Sequence, residues 1–224
     1  MEINRKLWNG WHRELHTALK TGDRDKAVET FINLHAMVHS RRISKDGLHS
    51  FEDELLDGIT PIQFRQTPPH FSHSIAWIIW HLARIEDITM NILIADSQQI
   101  FDRDSWADKL NIKAAHAGNN MPHSQMLKIS QQIDFEELRK YRQAVGRQTR
   151  KIVKKIRPEQ YQQAVDPARI KRIRDERAML PEAEGVVKYW SRRTIAGLLL
   201  MPPTRHCFFH LNEAGRIRQK LSKK

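Results

Sequence analysis

The sequence predicts an all-α protein, a four-helix bundle with additions. Three observations carry this. Apolar residues recur every three to four positions almost throughout. No window alternates apolar and polar residues for long, and no Asn-Gly turn joins β-branched runs, so sheet content is expected near zero. Nine glycines and nine prolines in 224 residues are too few for a loop-rich sandwich.

Near the N-terminus Ile3, Leu7, Trp11, Leu15 and Leu19 form an amphipathic stripe that Thr21-Gly22-Asp23 stops. A second helix is expected from about 24 to 40, with Val28, Phe31, His35 and Val38 on one face, and a shorter one from about 44 to 57. Prolines at 61, 68 and 69 punctuate a loop, and a long apolar helix follows from about 72 to 95. Residues 96–122 read as an irregular connection with short helical turns, ending near the Gly118-Asn119-Asn120 turn. Asp134 and Glu137 fit an N-terminal capping pair. After them Phe135, Leu138, Tyr141, Val145, Thr149, Ile152 and Ile156 space as a bundle seam that ends before Pro158. Residues 158–190 are highly charged and the pattern defines them least. From Ser191 an apolar helix leads to Met201, Pro202-Pro203 breaks or kinks it, and a last helix runs from about 204 to 220. No linker divides the chain, so residues 1–224 are expected to form one domain.

Composition narrows the function classes. Forty percent hydrophobic with 29% charged residues is ordinary for a soluble globular chain. The lone cysteine, Cys207, allows no intrachain disulfide and favours a reducing compartment. The N-terminal residues lack the apolar run of a signal peptide. The most apolar stretch, 74–95, carries Arg84, Glu86 and Asp87 near its middle, which a lipid-exposed helix would not tolerate cheaply. A soluble, cytoplasmic protein without a membrane partner is therefore expected.

Histidines carry the sharpest chemical signal. His206 and His210 are four residues apart on the last helix, so their rings share one face about one turn apart and could hold one metal ion. His81 lies on an otherwise isoleucine stripe of Ile78, Ile85, Ile88 and Ile92, and a buried imidazole there needs a partner. If these two helices pack together, His81, His206 and His210 could form a three-nitrogen site with an open position for water or substrate, the pattern of a catalytic metal. The bland alternatives are a hydrogen-bonded core histidine at 81 and a chance pair at 206 and 210. His35 and His39 form a second pair of the same spacing, with His35 able either to approach the metal or to serve structure. His12 with His16 is a third pair, read as surface.

The segment from Ser74 to Asp87, SIAWIIWHLARIED, resembles the second-helix motif of DinB-like proteins, and LLLMPPTRHCFFHLNE from Leu198 to Glu213 resembles their C-terminal helix motif. Gly118-Asn119-Asn120-Met121 and Tyr141-Arg142-Gln143-Ala144-Val145 resemble one branch of that family. The likeness covers about residues 25–220. It implies an up-down-down-up four-helix bundle, a homodimer, and a divalent metal with His81, His206 and His210 as ligands. Characterised relatives include thiol transferases that use low-molecular-weight thiols such as bacillithiol, and a mycothiol-dependent isomerase. This chain differs in its extra N-terminal helix and in the basic segment from Arg169 to Arg177.

On that expectation the chain is a metal-dependent transferase or hydrolase acting on a small-molecule substrate, with zinc or nickel the leading metals and iron or manganese next. A bound divalent ion ionises a thiol outright or lowers the pKa of water towards about 7. Glu213, one turn beyond His210, is the candidate general base or orienting partner. Arg84, one turn after His81, is the candidate to bind a substrate carboxylate or to pair with Glu213. Cys207 is rotated about 100° from His206 and reads as packing. The net charge of +12 sustains a rival: basic clusters at 147–155, 169–177 and 216–224 could bind nucleic acid through phosphates, or the bundle could serve as a non-catalytic interaction module. No helix-turn-helix, zinc-finger or RNP pattern accompanies them.

Overall fold

The computed structural model describes residues 2–222; Met1 and the last two lysines of the basic tail lie outside the described residues. Among the described residues the chain is helical throughout, with no strand and one isolated bridge between Ala164 and Thr194. Helix α1 (Glu2–Thr21) packs along α2 (Arg24–Val38). Short helices α3 (Phe51–Leu56) and α4 (Pro61–Arg65) lead to α5 (Ile75–Asp87), which continues as a π-helical stretch over Ile88–Ile94. Helices α6 (Trp106–Lys109) and α7 (His123–Gln132) precede α8 (Phe135–Val153). Then come α9 (Pro167–Asp175), α10 (Glu184–Ser191), α11 (Ile195–Leu199), a second π-helical stretch over Met201–His206, and α12 (Cys207–Leu221). Helix α5 packs against α8 and α12. All thirteen of its residues are buried, so it is the central rod of the core and not an amphipathic surface helix.

Several elements differ from the sequence expectation. The helix expected over 44–57 shrinks to Phe51–Leu56, because Gly47 takes a left-handed φ of +68° and Ser50 caps the helix by accepting from the Asp53 amide. On α1 the buried face is Trp8, His12, Leu15 and Leu19, rotated from the expected stripe, while Ile3 and Leu7 are exposed. His12 is therefore not a surface residue. The reason lies 188 residues away. Pro202 and Pro203 supply no amide hydrogens, which frees carbonyls in the preceding turn. Thr204 Oγ1 donates to the Leu199 carbonyl at 2.9 Å, and His12 Nε2 donates to that of Leu200 at 2.9 Å. Helix α1 is thus fastened to the turn that leads into the second π-helical stretch. Helix α7 and the two helices within 158–190 carried no clear sequence period; Ile170, Ile173, Val187 and Trp190 tie the latter to the core.

The core contains one unusual polar cluster. Glu86 on α5 has no exposed surface, yet it accepts hydrogen bonds from His35 Nε2 at 2.9 Å, His39 Nε2 at 2.7 Å and Thr149 Oγ1 at 2.6 Å. The Cys207 thiol lies 3.9 Å from it. Arg142, also buried, is ion-paired with Glu52 and reaches within 3.9 Å of Glu86. Burial alone would raise the Glu86 carboxyl, but its histidine neighbours outweigh that and hold it well below the usual carboxylate range. Burial pushes His35 down and His39 down to about 3, so both imidazoles are neutral donors.

The pH dependence follows from these shifts. The unfolded chain protonates His39 near 6.5, whereas the folded chain does so only near 3. Stability is therefore complete above about pH 6.5 and is lost as pH falls towards 3, by up to ~1.4 kcal/mol per pH unit for each such histidine. Urea midpoints of chelator-treated protein across this range are expected to fall with acid, and His39→Gln, which keeps a donor but cannot titrate, is expected to flatten the slope. An equal slope in that variant would contradict the assignment.

Candidate metal centre

Helix α5 and the start of α12 bring His81, His206 and His210 together. One ring nitrogen of each lies within 4.8 Å of the others. His81 Nε2 faces His206 Nε2 at 3.2 Å. The rings meet at steep angles, 60° and 77° for His81 against the other two and 71° between His206 and His210, so their nitrogens converge on a common point. His81 is buried, while the other two are half-buried.

What lies behind the rings matters as much. His81 Nδ1 donates to the Ala117 carbonyl at 2.6 Å, and His210 Nδ1 donates to Glu213 Oε2 at 2.9 Å. These bonds leave Nε2 of His81 and of His210 as bare lone pairs, the arrangement that metal-ligating histidines adopt. His206 Nδ1 is buried without a partner. Burial, followed by the charge of His210, pushes His81 down to about 3, and burial with His81 beside it pushes His206 well down. Neutral imidazoles are the ligand form of histidine. The donor set thus fits a divalent cation of borderline softness.

The second group within ligand reach, His35, His39 and Glu86, has different geometry. Its rings are stacked, 4.1 Å apart and 26° from parallel, so their Nε2 atoms point side by side at the two carboxylate oxygens. Two parallel N–H donors satisfy Glu86, whereas one ion needs convergent lone pairs. His35 accordingly serves the fold and does not approach the other three histidines.

Glu213 stands behind His210. Its Oε1 accepts from His73 Nδ1 at 3.0 Å while Oε2 takes His210. These two hydrogen bonds, that of His210 first, pull its carboxyl down to about 2. A carboxylate held so low is a poor proton acceptor, so the geometry supports the orienting role and not that of general base. Arg84 requires a correction. It has no exposed surface and does not meet Glu213. Its guanidinium donates to Asp87, Tyr141 and Gln99 at 3.2, 2.8 and 2.7 Å, and to the Ala115 carbonyl. It anchors the loop that presents Ala117 to His81 and offers nothing to a substrate carboxylate. Cys207 faces Glu86, as its rotation from His206 implies, and burial pushes its thiol up to about 12. A groove of about 940 Å³ between α1, α3 and α12, floored by Phe51, Leu55 and Phe208, contains none of the three histidines.

His73 was absent from the sequence reading. It precedes the Ser74 cap of α5, outside the helix, so helical periodicity gave no reason to look there. The available signal was the four-residue ladder His73, Trp77, His81.

The Ala117 loop also depends on Gly118. Its φ is +83°, and a Cβ there would lie 2.6 Å from the Trp80 ring. Gly118→Ala is expected to lower stability by about 1–3 kcal/mol, read as a drop in urea midpoint. An unchanged midpoint would show that the loop is not held as described.

Comparison with known proteins identifies a family. No curated protein matches the chain. The family model of the DinB superfamily matches residues 53–199. The match contains His81, the Ala117 loop and α8, and stops short of His206 and His210. It covers more than half of a chain whose described residues are all helical, and so the protein belongs to the DinB superfamily.

Proposed function

We propose that the protein is a divalent-metal-dependent enzyme in which His81, His206 and His210 hold the ion and a small-molecule substrate takes the open position. The observation that supports this most is the convergence of three imidazoles, two of which have their Nδ1 protons already engaged by Ala117 and Glu213. When bound, the ion supplies Lewis acidity, enough to ionise a thiol at neutral pH. The protein's own contribution is to hold three neutral donors at fixed angles. Those ligands add no charge, so the site favours an anionic partner. Zinc or nickel suits a set of three imidazoles best, with iron or manganese next. A low-molecular-weight thiol is the substrate class that the family resemblance suggests, which makes the reading a thiol transferase. A cytoplasmic homodimer belongs to the same reading.

The nucleic-acid alternative has less to rest on. Arg172 is paired with Asp96 and Glu176, and Arg174 with Glu184, so much of the 169–177 cluster is neutralised. Arg147 and Lys151 lie on the solvent side of α8, whose other side fills the core, and Lys154 and Lys155 are exposed just beyond its end.

Metal analysis of purified protein is expected to give about one divalent ion per chain. His206→Ala is expected to lose it, and His39→Gln to keep it. Undiminished metal in His206→Ala would refute the ligand assignment. A screen of thiols and acceptors on the loaded protein then separates transferase from hydrolase.

A further inference from the structure

We infer that His73 is a positioning residue of the metal centre, acting on two of its ligands at one remove. The inference rests on the three-histidine reading above. Toward α12, His73 Nδ1 donates to Glu213 Oε1 at 3.0 Å, while Glu213 Oε2 holds His210 Nδ1 at 2.9 Å. A single carboxylate therefore sits between two imidazoles, and neither of its oxygens is idle. Toward α5, the His73 ring lies face to face with the Trp77 indole at 4.1 Å and 10°, and that indole lies on the His81 ring at 4.7 Å and 9°. Trp77 is itself tied by its Nε1 to Met121 Sδ at 3.3 Å, beside the Ala117 loop.

The physical argument concerns rotational freedom. A lone carboxylate on a half-buried glutamate keeps three side-chain torsions by which to leave His210. Fastening the second oxygen to a ring that is itself fixed by stacking removes that freedom before any ion binds. His210 Nδ1 then keeps its proton toward Glu213, and its Nε2 stays aimed at the common point. Groups behind a metal ligand typically contribute 10- to 100-fold in metal affinity. His73 controls such a group on one ligand and the ring plane of another, which lies on a different helix.

Cobalt(II) serves as the probe, because its visible spectrum reports coordination geometry directly and its affinity follows from competition with a chelator. His73→Phe preserves the ring stack on Trp77 but has no donor. His73→Asn places a donor where Nδ1 was. We expect His73→Phe to bind cobalt about 10-fold more weakly with an altered spectrum, and His73→Asn to restore most of both. Glu213→Ala is expected to weaken binding similarly, and adding His73→Phe to it is expected to change nothing further, since His73 acts through Glu213. His73 is half-buried, and circular dichroism checks that each variant is folded; His73→Tyr, which also keeps a ring on Trp77 and has no donor at the Nδ1 position, replaces His73→Phe should the latter not fold. Affinity and spectrum in His73→Phe equal to wild type, or effects of the two substitutions that simply add, would overturn the inference. Wild type that takes up no cobalt would overturn the metal reading itself and this inference with it, and would be seen before any substitution was made.

Discussion

One buried carboxylate organises this molecule. Glu86, on the central helix, accepts from His35 of α2, from His39 just past its end and from Thr149 of α8, and lies against Cys207 at the head of α12. A buried anion left unpaired is costly, and removing one partner of a buried pair typically costs about 3–5 kcal/mol, so these contacts fix how α2, α5, α8 and α12 meet. The consequence reaches the metal centre through covalent proximity. His81 precedes Glu86 by five residues on the same helix, and His206 is the residue before Cys207. Consecutive side chains on a helix diverge by about 100°, so α12 can give Cys207 to the carboxylate and His206 to the opposite group. Gly146 belongs to the same arrangement, for a Cβ there would come within 2.8 Å of the His39 ring.

Two histidine pairs of identical spacing end in opposite roles. His35 and His39 stack, and their parallel donors grip a carboxylate; His206 and His210 splay, and their nitrogens converge with a third from another helix. What separates them is the tertiary partner. An acidic oxygen pair asks for two protons side by side, while acceptors behind His81 and His210, at Ala117 and Glu213, hold those two protons away and turn the lone pairs inward. Spacing of four residues establishes only that two rings share a face.

Much of the fold was legible because it rests on periodic burial. The helical class, the long helices around 24–38, 75–94, 135–153 and 207–221, and the cap at Asp134 follow from side chains and local chemistry. The candidate ligands were legible too, as histidines on apolar faces. The rest depends on contacts distant in sequence. His12 looked like surface because its neighbours are charged, and its partner is the Leu200 carbonyl, 188 residues later. Arg84 looked like a substrate anchor because it is charged and near His81, yet Asp87, Tyr141 and Gln99 claim it in the interior. His73 was invisible to periodicity because it lies just outside its helix. In each case the deciding group is a backbone carbonyl or a side chain from another element, which no local pattern encodes.

The central claim is that three imidazoles share one cation while the neighbouring thiol and the Glu86 cluster do not. X-ray absorption at the zinc edge of the zinc-loaded protein tests this most directly. The account predicts three imidazole nitrogens at about 2.0–2.1 Å, with the remaining coordination from oxygen, and no sulfur. A sulfur shell at about 2.3 Å, which only Cys207 or one of the seven methionines could supply, or a count of two imidazoles or fewer would contradict it.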